Sequence, residues 1–573
     1  FNGEIYNYRE LRRGLVERGH QFTTESDTEV LVHLYEEAGS ELPAHLNGMF
    51  AFAIWDQRKQ ELFLARDPFG KKPLYFTSSV PGFRLCFASE LKALAVMPGF
   101  DRTVSPRGVA DFLTFAYVPD PNSIFAGARK LPPGHSLLLG RDGVKRRQYW
   151  KPSFAIRDDM TMAEAQEELL ALALDSVERR MISDVPLGGF LSGGVDSSSV
   201  VALMCRRARG RVKSFSIGFT DEDFDEVAYA RQVAGRYGTE HHEHVVTPSV
   251  GEMLKVLVDH FDEPFADSSA IPTLYLARMT RQYVTVALSG DGADELFGGY
   301  RRYRFAIAEE AVRRKLPRWF RRSAVRLAGR LYPKLDYLPR VFRAKATLEG
   351  IARELGEAYF EAMSGFRWGL LDRLLADGLR EELRGYSPRE WYLERFAAHA
   401  ELPPLQQLQA VDLETYLPGD ILVKLDRATM AYSLEGRCPF LDYRIGDLAG
   451  ALPAPLKLAN GVGKRVLKET MRPYLPDEII DRPKMGFSVP MASWMRTSLK
   501  PVFEAVALHP DMGRYLDIDC ARGVWRAHQS GARDYSRELW SMLMLACWHD
   551  RFAGASPTGR LAEALERQAV VAP

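Results

Sequence analysis

Leu187-Gly188-Gly189-Phe190-Leu191-Ser192-Gly193-Gly194-Val195-Asp196-Ser197-Ser198 is an apolar run that breaks into a turn holding two glycines, an acid and three hydroxyls. Residues 187–191 read as a short buried strand, and Ser198 to Met204 reads as a helix opening on serines. Strand, glycine turn and helix N-terminus gather free N–H groups and the positive end of a helix dipole at one point, which suits phosphate oxygens. The stretch lacks the lysine of a G-x-x-x-x-G-K-[ST] loop. Asp196 instead points to a Mg²⁺ ion shared between protein and phosphate.

The pattern around this stretch is alternating. Ser214 to Phe219 is strand-like, Asp225 to Tyr237 is helical with Gly238 just beyond, His242 to Val246 is strand again, and Tyr283 to Leu288 is another buried strand. Repeated strand–helix units predict a doubly wound parallel α/β sheet with its ligand at the carboxyl ends of the strands. From about residue 350 helices are added. The first 150 residues differ. Apolar runs 46–56 and 61–67 flank the polar turn 57–60, and 74–76 with 84–88 repeats the arrangement, so this half is predicted as an antiparallel β-sandwich. Residues 151–159 read as a linker, and Thr161 with Glu164 as the capped start of a helix. Two domains are expected, 1–150 and 160–573.

The chain has 573 residues, 46% of them apolar, and a net charge of +1, which gives no global attraction to nucleic acid. Five scattered cysteines without a C-x-x-C pair read as reduced thiols in a cytoplasmic setting. No apolar run has the length of a membrane span and no signal peptide is visible. Between 301 and 330 eleven Lys/Arg face two glutamates, a local charge of +9, with Phe305, Val312, Leu316, Trp319, Phe320, Val325 and Leu327 interleaved. Such a segment reads as a solvated helical face, with contact to a membrane surface or partner as the alternative. His241, His242 and His244 in the run 240–244 read as packed strand histidines.

A second loop, Ser289-Gly290-Asp291-Gly292-Ala293-Asp294-Glu295-Leu296-Phe297-Gly298-Gly299-Tyr300, follows the strand ending at Leu288. It is expected to face the crevice of residues 192–198, with Asp196 and Asp294 sharing one Mg²⁺ and Asp291 set for proton transfer.

The 192–198 loop resembles that of the ATP pyrophosphatases, which split ATP between its α and β phosphates. Together with 289–300 and Leu434-Glu435-Gly436-Arg437-Cys438-Pro439-Phe440-Leu441-Asp442, the chain resembles the glutamine-dependent asparagine synthetases. The resemblance implies adenylation of the aspartate side-chain carboxylate by MgATP, then displacement of AMP by ammonia. It implies Ser192, Gly193, Gly194, Asp196, Ser197 and Ser198 as the ATP and pyrophosphate grip, with Ile217, Ser289 and Gly290 beside the adenosine. It implies Asp196 and Asp294 as Mg²⁺ residues, and Asp291, where the family commonly has Glu, as the base for the attacking ammonium. Lys484 falls in the loop expected to carry a catalytic lysine, and Lys424 and Arg427 lie in a pyrophosphate-contacting stretch. The stretch Asp267 to Thr273 lacks the Arg that family members carry hereabouts. A related amidotransferase acting on a carboxylated sugar or exopolysaccharide precursor is therefore the runner-up, and a non-catalytic scaffold docking through 301–330 the third reading.

Phe1-Asn2-Gly3-Glu4-Ile5-Tyr6-Asn7 and Ser26-Asp27-Thr28-Glu29-Val30 resemble two motifs of the class II (Ntn) glutamine amidotransferases. That resemblance implies Asn2 and Gly3 as an oxyanion hole and Glu4 and Asp27 as glutamine-binding residues. The family's N-terminal Cys nucleophile does not stand at Phe1, and the chain is read as truncated ahead of it. Small-molecule substrates (ATP, aspartate, glutamine or ammonia) and a homodimer are the partners the resemblance implies.

Overall fold

The computed structural model describes residues 1–219, 227–246, 250–332, 345–482, 489–554 and 559–571. In the first half, strands β1 (Asn2–Ile5), β2 (Gly48–Asp56), β3 (Glu61–Arg66), β4 (Tyr75–Thr77), β5 (Cys86–Ala88), β6 (Arg129–Lys130), β7 (His135–Gly140) and β8 (Gly143–Gln148) form two antiparallel sheets. The larger is ordered β1-β2-β3-β7-β8, the smaller β5-β4-β6. The predicted hairpin is β2–β3, and its turn is closed by Asp56, which accepts from the N–H groups of Arg58 and Lys59. Alternation sends Phe50, Phe52 and Phe63 to one face, where helices α1 (Tyr8–Glu17) and α2 (Asp27–Ala38) cover them. Ala51, Leu64 and Leu137 go to the other, against Leu74 and Leu131 of the smaller-sheet side.

In the second half, β9 (Leu187–Phe190), β10 (Lys213–Phe219), β11 (Glu240–Val246), β12 (Val286–Leu288) and β13 (Glu435–Arg437) make a wholly parallel sheet ordered β11-β10-β9-β12-β13. The chain leaves β9 toward β10 and β11, then returns on β9's other side as β12. The point of reversal between β9 and β12 opens a crevice at the strands' carboxyl ends. The capping box of Thr161 and Glu164 opens the helix Met162–Arg180. Helices dominate from Lys345 onward, and the helix Ser536–Phe552 is buried along most of its length.

Three local expectations shift. The helix after the glycine turn begins at Val195, not Ser198, because Gly194 already has the extended backbone of a cap residue. The strand predicted over 283–288 keeps only 286–288; Tyr283 turns out of the ladder and stacks on His242 at 3.9 Å between ring centroids. The 301–330 segment is not a simple solvated face. Arg313 and Arg321 are buried on backbone carbonyls, while Trp319 and Leu327 are 71% and 57% exposed. All five cysteines are free thiols. Among the described residues no helix is long and apolar enough to cross a membrane.

Candidate active site

β9 delivers the chain to the crevice and Gly193 turns it. Its φ is +71°, and a Cβ there would lie 2.5 Å from the Tyr229 side chain, so only glycine fits. Ser197, one turn into the helix Val195–Arg207, reaches back: its hydroxyl accepts from Ser192 N–H at 3.1 Å and lies 3.0 Å from the Ser192 hydroxyl. No described side chain caps the helix, so its first N–H groups open on the crevice.

The loop after β12 packs directly on this turn. A Cβ at Gly290 would stand 2.7 Å from Ser197 N and 2.8 Å from Asp196. Ser289 N–H donates to the Arg437 carbonyl of β13 at 2.7 Å, and the Ser289 hydroxyl donates to Asp291 in a short bond. Asp196 and Asp294 are thereby brought to one counter-charge. Lys464 Nζ lies 2.5 Å from Asp196 Oδ2 and 2.7 Å from Asp294 Oδ1, with its side chain almost entirely buried. Burial pulls the Lys464 ammonium down, but the two carboxylates outweigh it and hold it above the usual lysine range.

A second wall carries Lys424, whose ammonium contacts Asp267 and the Ser269 hydroxyl, both at 2.9 Å. Burial opposes ionisation of Asp267, yet Lys424 and Ser269 prevail and bring its carboxyl to about 2. Glu295 behaves oppositely: burial, with Asp294 adding repulsion, pushes it up to about 7 although the Tyr300 hydroxyl donates to it at 2.5 Å. Arg302 lies over the Tyr300 and Tyr416 rings at 3.7 and 4.4 Å and pairs with buried Asp412 at 2.8 Å. The cavity enclosed by these walls has a volume of about 980 Å³.

Of the residues expected in the phosphate grip, Ser192, Gly194, Asp196 and Ser197 line this cavity. So do Ile217 on β10, Lys424, and Ser289, Gly290, Asp291 and Asp294 of the second loop. Gly193 shapes the turn from behind, its carbonyl accepting from Arg482 at 3.0 Å. Ser198 is fully buried on the core side of the helix. Arg427 does not reach the cavity: its guanidinium is committed to Glu90 at 3.1 Å and Asp262 at 3.5 Å near the junction with the first half. Lys484 lies outside the described residues. Lys464 was not anticipated. Its signal is Asn460-Gly461-Val462-Gly463-Lys464, in which Gly463 abuts the Gly298 carbonyl and Lys464 takes a left-handed φ of +55° to open a helix.

In the first half, β1 carries Asn2 and Glu4 two residues apart on one face. Asn2 donates to the Ser89 hydroxyl at 3.1 Å, Glu4 pairs with Arg437 at 3.0 Å, and Asp27 accepts from Ile5 N–H at 2.9 Å. Gly3 has φ +142°, and its absent side chain lets β1 close on the Met49 carbonyl. Burial lifts the Glu4 carboxyl to about 7; Arg437 counteracts this and Asp27 reinforces it. Three further contacts cross from this half to the segment 426–442: Lys72 to Asp426 at 2.9 Å, Lys71 to Cys438 at 3.3 Å, and Asn47 to Asp442 at 2.9 Å. His241 and His242 are occupied locally, His241 by Ser214 at 2.9 Å and His242 by Glu240 at 2.9 Å.

The asparagine synthase family profile matches residues 168–550, and a glutamine amidotransferase domain profile matches residues 1–150. "Asparagine synthetase [glutamine-hydrolyzing] 1" of Bacillus subtilis is 35% identical over 96% of this chain and 84% of its own length. A "Putative asparagine synthetase [glutamine-hydrolyzing]" of Mycobacterium tuberculosis is 36% identical over 98% of this chain and 86% of its own. A more distant relative, "Amidase chry2" of Gibberella zeae, is 26% identical over 86% of this chain and 77% of its own. Two glycine loops at the β9/β12 reversal and relatedness along nearly the whole length agree: the chain belongs to the asparagine synthase family.

Proposed function

We propose that the chain is an ATP-dependent amide-forming ligase that adenylates the side-chain carboxylate of aspartate and transfers ammonia to it, giving asparagine, AMP and pyrophosphate. The observation that carries this reading is the Asp196–Lys464–Asp294 cluster beside an uncapped helix N-terminus. The acceptor carboxylate oxygen attacks the α-phosphorus of ATP and pyrophosphate leaves. The N–H groups at 195–197 and the Lys464 ammonium face the oxygens that gain charge. Ammonia then attacks the acyl carbon, AMP leaves, and Asp291, oriented by the Ser289 hydroxyl, takes the proton.

Two carboxylates on facing loops are a hard oxygen donor set, and Gly299 leaves them room, since a Cβ there would fall 2.1 Å from Asp294 Oδ1. Mg²⁺ fits Asp196 and Asp294, and when bound would neutralise charge on the pyrophosphate. Ile217, Ser289 and Gly290 are read as the adenosine side, Lys424 as a polyphosphate or acceptor contact. In the first half, Asn2 and Gly3 are read as an oxyanion hole, and Glu4 and Asp27 as glutamine-binding residues of the ammonia-supplying half.

One observation favours a second acceptor. The 267–273 stretch presents Asp267, tied to Lys424, and no arginine, in a cavity at the upper end of the range of about 300–1,000 Å³ common for small-molecule sites. A carboxylated sugar or polymer precursor is the acceptor of that reading. A cytoplasmic location, a homodimer and a peripheral contact through 301–330 are further proposals. The last is supported by Phe305, Trp319 and Leu327 standing exposed among arginines.

Pyrophosphate release from ATP, measured with ammonium and a panel of carboxylates, decides among these. Release that depends on aspartate supports the first acceptor, and release only with a uronic or polymer carboxylate supports the second. No release with any carboxylate refutes the ligase reading.

A further inference from the structure

A second cluster of ligand atoms lies far from the ATP cavity, where α1 gives way to α2. His20 follows the end of α1, and His33 and Glu36 lie one turn apart on α2. His20 Nδ1 and His33 Nδ1 face each other at 3.1 Å, and Glu36 Oε2 lies 3.7 Å from the first and 3.9 Å from the second. Among the described residues this is the one His/Cys/Asp/Glu triad whose ligand atoms all come within 4.8 Å of one another. Two donors on a tetrahedral zinc ion, each about 2.0–2.1 Å from the metal, stand about 3.3 Å apart. The cluster needs only small shifts to match.

The outer contacts decide which ring nitrogens face inward. Glu37 Oε1 lies 3.0 Å from His20 Nε2, and Glu29 Oε1 lies 3.6 Å from His33 Nε2. Glu29 is itself held in place by the hydroxyls and N–H groups of Thr24 and Thr23. A carboxylate beside the outer ring nitrogen, with the other nitrogen facing the cluster, is the arrangement that accompanies metal-ligating histidines. Glu36 is mostly exposed, so solvent can supply the fourth ligand.

We propose that His20, His33 and Glu36 form a zinc site that staples the end of α1 to α2. Imidazole donors favour Zn²⁺ over Mg²⁺ or Ca²⁺, which take oxygen. The staple closes the loop of residues 21–26 that leads into Asp27, so its effect is to stiffen the approach to the glutamine-side carboxylates.

The full chain, stripped with a chelator and titrated with Zn²⁺ against a competing dye, is expected to bind one ion. X-ray absorption is expected to show two imidazole nitrogens with oxygen ligands. His20→Gln and His33→Gln are each expected to weaken binding at least tenfold, and Glu36→Gln, at an exposed position where folding is not at stake, about three- to tenfold. Zinc is expected to slow amide exchange of residues 21–28 in the wild type alone. Unchanged affinity in all three variants, an all-oxygen ligand shell, or fewer than one ion bound at micromolar zinc overturns the proposal.

Discussion

Asp196 and Asp294, at the ends of β9 and β12, share the Lys464 ammonium at 2.5 and 2.7 Å, whereas Glu4, across from Asp27 beside β1, leans on a guanidinium lent by β13. In the first pair the shared counter-ion is buried, and the two carboxylates hold the Lys464 ammonium above the usual lysine range. In the second region burial lifts the Glu4 carboxyl to about 7 against the pull of Arg437. The two regions differ in how burial is offset: by a shared buried ammonium in one, and by a single guanidinium that does not outweigh burial in the other.

The strongest way to break this contrast is Lys464→Met. Two part-buried carboxylates lose their common partner, and we expect about 1–3 kcal/mol less stability by urea unfolding. Pyrophosphate release should fall about 10²–10³-fold in whatever folds, as for loss of a charge-stabilising donor. A variant with unaltered release would detach Lys464 from the chemistry.

Glu295→Gln sharpens the contrast from within the cavity, because burial raises Glu295 to about 7 just as it raises Glu4. Its carboxyl is raised from 4.5 to about 7, so the folded state holds a proton that the unfolded state releases. Its contribution is fully present below pH 4.5 and is lost as pH rises to 7, a fall of about 3 kcal/mol. Unfolding free energies from pH 4.5 to 7 should show that slope in the wild type and a flatter one in the variant.

Arg437→Gln removes the opposing charge from Glu4 and the donors to the Arg180 and Ile182 carbonyls, at an expected cost of about 2 kcal/mol. It should also move the Glu4 titration, followed by carboxyl ¹³C shifts, above pH 7; a downward move would contradict the assigned balance of burial and charge. The smallest effect belongs to the exposed segment. Trp319→Ser should change stability by about 0.5 kcal/mol or less, while measurably weakening any sedimentation with anionic vesicles.

The glycine loops were legible because each glycine is demanded by backbone geometry that survives in the sequence: Gly193 by its φ, Gly290 by contact with the facing turn. Lys464 was not legible, being 170 residues beyond Asp294 and brought in only by the packing of Gly463 on Gly298. Arg427 was misplaced for the complementary reason. It shares a helix with Lys424 but points three residues round, toward Glu90 and Asp262, and the apolar pattern alone does not tell which basic side chain looks into the cavity. The inverted exposure of 301–330 was hidden likewise, because Arg313 and Arg321 satisfy helix-end carbonyls that sequence does not pair with them.

The segment from β13 to Asp442 belongs by hydrogen bonding to the parallel sheet, yet Glu4, Asn47 and Lys71 of the other half spend their polar groups on it. The halves are therefore not interchangeable modules. A graft that joined this first half to another relative's second half would strand a buried arginine or aspartate unless Glu4 and Asn47 travelled with Arg437 and Asp442. Substitutions on either side of the linker should accordingly be inherited in pairs.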